Sequence, residues 1–280
     1  MNKLLFICSP SYSGSTLLTI LLDEHPEIAT LGELKASAFG DIYRYECSCG
    51  QLLRECTFFR QLEAQVKVGS GLDFSVLDWR THFVSSDVIA RRLINPMLKG
   101  PGFELLRRIG IRTSASAQSA LAETTCRNRA LINATLHMNQ ASVFLDGSKD
   151  PIRAKYLIDT GAWDVRVILL VRDGRGVTHS YMRHEGVSMD YALEEWKKKI
   201  SEMHRLASLV GTGSMVVRYE DLCSAPLDTL NGILDFAGLT RLQQLNFPIL
   251  HENRHILGNA MRLRDIESVQ VDEKWRTGLP

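Results

Sequence analysis

The chain has 280 residues, of which 45% are apolar and 23% charged, and its formal net charge is +1. That length allows a sizeable core, and the composition is that of an ordinary globular domain. A near-neutral balance argues against a nucleic-acid binder, and no run of 18 or more apolar residues offers a membrane-spanning helix. An apolar run begins by Leu4 with no basic leader or cleavage site before it, so a signal peptide is not expected. The six cysteines (Cys8, Cys47, Cys49, Cys56, Cys126 and Cys223) are then expected to be the reduced thiols of a cytoplasmic protein.

The first predicted strand comprises Leu4, Leu5, Phe6, Ile7 and Cys8, apolar throughout, as a strand buried on both faces should be. A turn of small residues follows, with Ser9, Ser11, Ser13, Gly14, Ser15 and Thr16, and then a helical run from Leu17 that stops near Pro26. Strand, small-residue turn and helix make an anion cradle, because backbone N–H groups and the positive helix end face one point. Glu33 follows Gly32 at the end of a short extended piece, and Cys47, Cys49 and Cys56 sit in a polar, turn-rich segment. Scattered helical periodicity from about 60 to 140 predicts a mostly helical insertion over the sheet. Order returns at Val143–Leu145, a strand running into a loop with Asp146, Lys149 and Asp150. Helix, strand, loop and helix then alternate through VILLVRDGRGVTHS, followed by SMVVRYEDL as strand into turn and a helix ending near Gly238.

Short apolar strands alternating with helices predict an α/β fold: a P-loop-like parallel sheet of about five strands flanked by helices, with the helical insertion. The whole of 1–280 reads as one domain. Loops at Ser9–Thr16, Gly147–Lys149 and Arg172–Gly176 all follow strands, so they should meet at the carboxyl rim, where such sheets bind ligands. Against the nucleotide P-loop pattern G-x-x-x-x-G-K-[ST], Ser9 stands at the first Gly, Gly14 at the second, Ser15 at the Lys and Thr16 at the hydroxyl. The cradle therefore lacks the ammonium of ATP and GTP chemistry.

The segments SYSGSTLLTILLDEHPEIATLGE, SKDP, VILLVRDGRGVTHS and VVRYEDL resemble, in order and spacing, the PAPS-dependent sulfotransferases, notably bacterial and protein-tyrosine sulfotransferases. The resemblance covers Lys3–Glu33 and Val143 to about Leu239, and it leaves the stretch from about 60 to 140 unmatched. It implies PAPS as donor, PAP as product and no required metal. It further implies that the backbone of Ser13, Gly14, Ser15, Thr16 and Leu17, with the Ser15 and Thr16 hydroxyls, holds the 5′-phosphosulfate, beside which Tyr12 offers a neutral hydroxyl donor, and that Arg172 and Ser180 hold the 3′-phosphate. Glu33 takes the family's general-base position, and Lys149 the position that neutralises charge on the leaving oxygen, an end Arg153 could share. Tyr219 is a possible nucleotide contact. Arg254, Arg262 and Arg264 fall where relatives fold a basic loop over the 3′-phosphate. Asp173 is expected to cap its helix. Tyr12 departs from the family, many of whose members place Arg or Lys there.

The expected function is therefore transfer of a sulfuryl group from PAPS to a hydroxyl or amine of a small molecule, glycan, lipid or peptide. The alternatives are a non-catalytic PAP or PAPS binder and, less compatible with Ser15, a small-molecule kinase. The acceptor should be read by residues between about 36 and 140. Cys47, Cys49 and Cys56 form C-x-C-x6-C, which leaves three readings open: free thiols, a local disulfide, or zinc with a fourth ligand. The pattern alone assigns no metal site. His25, His179 and His184 lie near the predicted rim and are read as packing or capping residues.

Overall fold

The protein is described by a computed structural model covering residues 2–34, 40–245, 255–266 and 268–279. Arg254 lies outside the described residues. Five strands, β1 (Lys3–Cys8), β2 (Ile28–Gly32), β3 (Val143–Lys149), β4 (Asp164–Val171) and β5 (Ser214–Arg218), form one parallel sheet in the order β2-β3-β1-β4-β5. This is the expected sheet. β1 is apolar at every position after Lys3 because both its faces are covered. Leu4, Phe6 and Cys8 enter one core layer, and Leu5 and Ile7 enter the other.

Helix α1 (Ser15–Leu22) is buried along its whole length in the second layer, together with α9 (Tyr219–Ser224) and α10 (Pro226–Ala237). The first layer gathers residues of α2 (Thr57–Ser70), α3 (Val88–Ile94), α5 (Ala115–Asn139), α6 (Pro151–Asp159) and α8 (Met189–Val210). The predicted insertion is thus helical in α2, α3, α4 (Pro101–Thr113) and α5, with non-helical chain between Gly71 and Asp87. After β5 the chain turns directly into α9, where the sequence suggested only a turn.

A buried polar network fastens the insertion to the sheet. Arg153, wholly buried, donates to Asp146 on β3 at 2.9 Å, to the Asn128 side chain at 2.7 Å and to the Thr81 carbonyl at 2.5 Å. Asn128 itself donates to Thr81 O at 2.8 Å. Breaking one member would leave buried charge uncompensated, a loss of about 3–5 kcal/mol. Arg153 is therefore a structural tie, which corrects the suggestion that it shares the role of Lys149.

Candidate active site

The loop after β1 enters α1 through Gly14, whose φ of 84° is left-handed. A Cβ there would lie 2.5 Å from the Tyr219 ring, so both backbone geometry and space require glycine. Tyr12, at φ 62°, turns its carbonyl to Arg172, which donates at 2.8 Å. Its hydroxyl donates to Glu185 at 2.5 Å, and its ring stacks on His184. Burial, then the bond to Glu185, raises the phenol above its ordinary value. The Tyr12 hydroxyl is thus held against α7 (Gly174–Glu185), while its backbone closes the loop.

Ser9, Ser13 and Thr16 are all buried, and their side-chain oxygens have no partner. A buried hydroxyl without a partner costs about 1–3 kcal/mol. Ser9 follows β1, and Ser13 and Thr16 flank the start of α1, so the three hydroxyls belong to one strand-to-helix loop and suit the binding of an anion there. The phosphosulfate of PAPS fits this donor set. Ser15 and Leu17 are buried in the same turn of α1, and sequence reasoning had not assigned Ser9 a contact.

Arg172 follows the last residue of β4 and lies over the Tyr219 ring, 4.6 Å from its centroid. It also donates to the Asp272 carbonyl at 3.0 Å and to the Asp272 carboxylate at 3.2 Å. Burial alone would raise the Asp272 carboxyl, but the Lys274 amide and the Arg172 guanidinium outweigh it and hold the group below its ordinary value. Tyr219 accepts from the Asp272 amide at 3.3 Å, and burial pushes its phenol up to about 12. Ser180 is buried one turn further along α7, its hydroxyl donating to Gly176 O at 2.9 Å. Asp173 caps α7 as expected, accepting from the Arg175 amide; its carboxyl is lowered chiefly by the Arg175 side chain.

Glu33 and Lys149 meet at 2.6 Å in a half-buried ion pair. Lys149 adopts φ 67°, a conformation costly for a non-glycine residue and one that recurs at functional sites. Its carbonyl accepts from the Cys8 thiol at 3.7 Å, which sets it beside the start of the β1 loop. Glu33 is steadied through its backbone, whose N–H donates to Leu257 O at 3.0 Å. Gly32 permits that approach, since a Cβ there would stand 2.0 Å from the Leu257 oxygen.

The C-terminal arginines are employed differently from the expectation. Arg262 is buried over the Tyr45 ring, and its donors go to Glu46 O, Gly258 O and Asn259 O. It staples the segment around Glu46 to the C-terminal chain. Arg264 is exposed, just beyond the same short 3-10 turn. His25 is structural as expected, its ring bonding Thr240 O at 3.0 Å.

Away from these pairs, Cys47, Cys49 and Cys56 converge with His255, their ligand atoms all within 4.8 Å of one another. The expectation of no metal finds no support in this cluster. His255 was missed because nothing local marks it, and Asp272 because a lone acid in a polar tail carries no signal. A depression of about 790 Å³, lined by Asn2, Lys3, Glu27 and Ser142 among others, lies at the opposite end of the sheet. Among the described residues no helix is long and apolar enough to cross a membrane.

No curated protein matches the chain. Among solved structures, the sulfotransferase domain from the curacin biosynthetic pathway matches with TM-score 0.51 at 15% identity, over 98% of this chain and 89% of that one. The sulfotransferase domain of the Synechococcus PCC 7002 olefin synthase matches with TM-score 0.48 at 19% identity, over 93% and 78% of the two chains. At these identities the first match shows the fold. A sequence model described as "Sulfotransferase family" matches residues 107–243, the span holding Lys149, Arg172, Ser180 and Tyr219. That match and this fold make the chain similar to the sulfotransferase family over residues 107–243.

Proposed function

We propose that the protein transfers a sulfuryl group from PAPS to a hydroxyl or amine of an acceptor, through Glu33 as general base. The observation that carries this reading is the trio of buried, unpartnered hydroxyls of Ser9, Ser13 and Thr16 at the start of α1. When bound, the nucleotide supplies the sulfuryl group on a phosphosulfate linkage. The loop hydroxyls and the first N–H groups of α1 bind its 5′ end, and Gly14 lets the backbone approach. Arg172, together with Ser180 on α7, binds the 3′-phosphate once Asp272 yields its place. Tyr219 holds the Arg172 plane from beneath.

Glu33 takes the acceptor's proton as the nucleophile forms its bond to sulfur. Lys149, held against Glu33 at 2.6 Å, orients the carboxylate and offers positive charge where the leaving phosphate becomes more anionic. The charge that Tyr12 does not provide thus comes from Lys149. The acceptor is a small molecule, glycan, lipid or peptide approaching past the helical insertion, in a cytoplasmic setting.

Calorimetric titration with PAP, run beside ADP with magnesium, tests the donor site. Selective PAP binding that weakens sharply in Arg172→Ala is expected. Preference for ADP with magnesium, or binding of neither, overturns the reading.

A further inference from the structure

The segment from Cys47 to Cys56 is folded around its own sulfurs. Cys47 N–H donates to Gln51 O at 2.8 Å and Gly50 N–H to Cys47 O at 2.9 Å, which closes a tight turn after Cys47. An antiparallel bridge between Glu46 and Leu52 holds the base of this turn, and Cys56 stands at the N-terminus of α2. The turn aims the sulfurs of Cys47 and Cys49 toward that of Cys56. His255 arrives from about 200 residues downstream, fixed because the next amide, Ile256 N–H, donates to Ser48 Oγ at 2.8 Å. Phe58 stacks flat on its imidazole, centroids 4.3 Å apart.

The distances are those of ligands around a common centre. A tetrahedral ion with Zn–S of about 2.3 Å and Zn–N of about 2.0 Å sets S···S edges near 3.8 Å and S···N edges near 3.5 Å. Cys49 Sγ lies 3.7 Å from Cys56 Sγ, while His255 Nδ1 lies 3.5 Å from Cys47 Sγ and 3.3 Å from Cys56 Sγ. A disulfide between Cys49 and Cys56 would need the sulfurs at about 2.05 Å and would leave Cys47 and His255 unexplained.

We propose that Cys47, Cys49, Cys56 and His255 bind one zinc ion in a closed structural site. Three thiolates and an imidazole select zinc over the hard cations, and four protein ligands leave no open position for chemistry. The ion ties Cys47–Cys56 to the C-terminal segment that flanks the catalytic pair. Leu257, two residues beyond His255, donates to Leu31 O at 2.9 Å and accepts from Glu33 N–H, and Gly258 borders the Glu33 carboxylate. Zinc thereby holds one wall of the Glu33 pocket in place, whichever donor the active site uses.

The test is elemental analysis of the purified chain after exhaustive dialysis, together with the visible spectrum of protein produced in cobalt-supplemented medium. About one zinc per chain and the intense d–d bands of tetrahedral thiolate-bound cobalt are expected. Cys49→Ser should lose most of the metal, His255→Cys should retain it with a shifted charge-transfer band, and Cys126→Ser, altered at an exposed cysteine elsewhere, should match the parent. The cobalt spectrum of the unaltered chain decides the matter even if a ligand variant fails to fold. A metal-free folded protein with no cobalt bands, or a Cys49–Cys56 disulfide found by mass, overturns the proposal.

Discussion

Ser13→Ala separates a ligand-binding loop from a merely structural one, because the two readings predict opposite signs. The Ser13 side chain is fully buried and its hydroxyl is without a partner. Replacing it by a methyl group removes a desolvated hydroxyl that costs about 1–3 kcal/mol and sacrifices a few contacts. The net gain is about 1 kcal/mol in the ligand-free protein, or about 2–4 °C in melting temperature for a domain of this size. Binding moves the other way. A hydrogen bond to a charged phosphate is worth about 1.5–3 kcal/mol, so PAP should bind about 10- to 150-fold more weakly. Thermal melts with and without PAP, beside calorimetry, read both quantities on one preparation. Thr16→Val, which keeps the branched shape and deletes only the hydroxyl, should repeat the pattern. A lower melting temperature with unchanged PAP affinity would refute the reasoning, since Ser13 would then be a packing residue.

Asp272→Asn removes the carboxylate that Arg172 grips at 3.2 Å; a partly exposed pair of this kind is worth about 1 kcal/mol, so calorimetry should find PAP bound about fivefold more tightly. Unchanged or weaker binding would show that Asp272 does not compete for the site. Glu33→Gln should lower the transfer rate by about 10²- to 10⁴-fold in a single-turnover assay while leaving the PAP dissociation constant alone. A parallel loss of affinity would move Glu33 from chemistry to binding. Acid should destabilise the fold through Asp173 and Asp272, whose folded carboxyls both lie below their ordinary value. Groups depressed on folding contribute stability above the unfolded carboxylate value and lose it as pH falls through the folded one, so melting temperature should hold from about pH 7 to 5 and drop below about pH 4. An Asp173→Asn, Asp272→Asn double variant should flatten that acid limb.

Much of this was readable locally. β1 announces itself because a strand covered on both faces must be apolar throughout, and the loop after it because a small-residue turn between strand and helix has few other uses. Asp173 was legible as a cap for the same local reason. What escaped was fixed by contacts between residues far apart in sequence. Arg153 lies one turn from Lys149, yet Thr81 and Asn128 on the insertion claim its guanidinium. Arg262 looks like a basic tail residue and is instead a buried staple over Tyr45. His255 lies 199 residues beyond Cys56 along the chain, with no periodic pattern linking them. Local propensity and spacing carry no term for such pairings, whereas strand and helix periodicity are local by nature.

The same long-range contacts explain how two residues at this rim can sit in an unfavourable conformation. Lys149 is held left-handed at the end of β3 and Tyr12 in the loop after β1, each at a cost of about 1–3 kcal/mol that neighbouring structure must offset. Two pieces of C-terminal chain lean on this rim: Leu257 and Gly258 against Glu33, and Asp272 against Arg172. Each is anchored elsewhere, the first through His255 and Arg262, the second through Tyr219. The sheet thus presents the strained loops, and the C-terminal chain completes them. A change in this terminal segment should therefore alter the active site even where it touches no residue of the β1 loop.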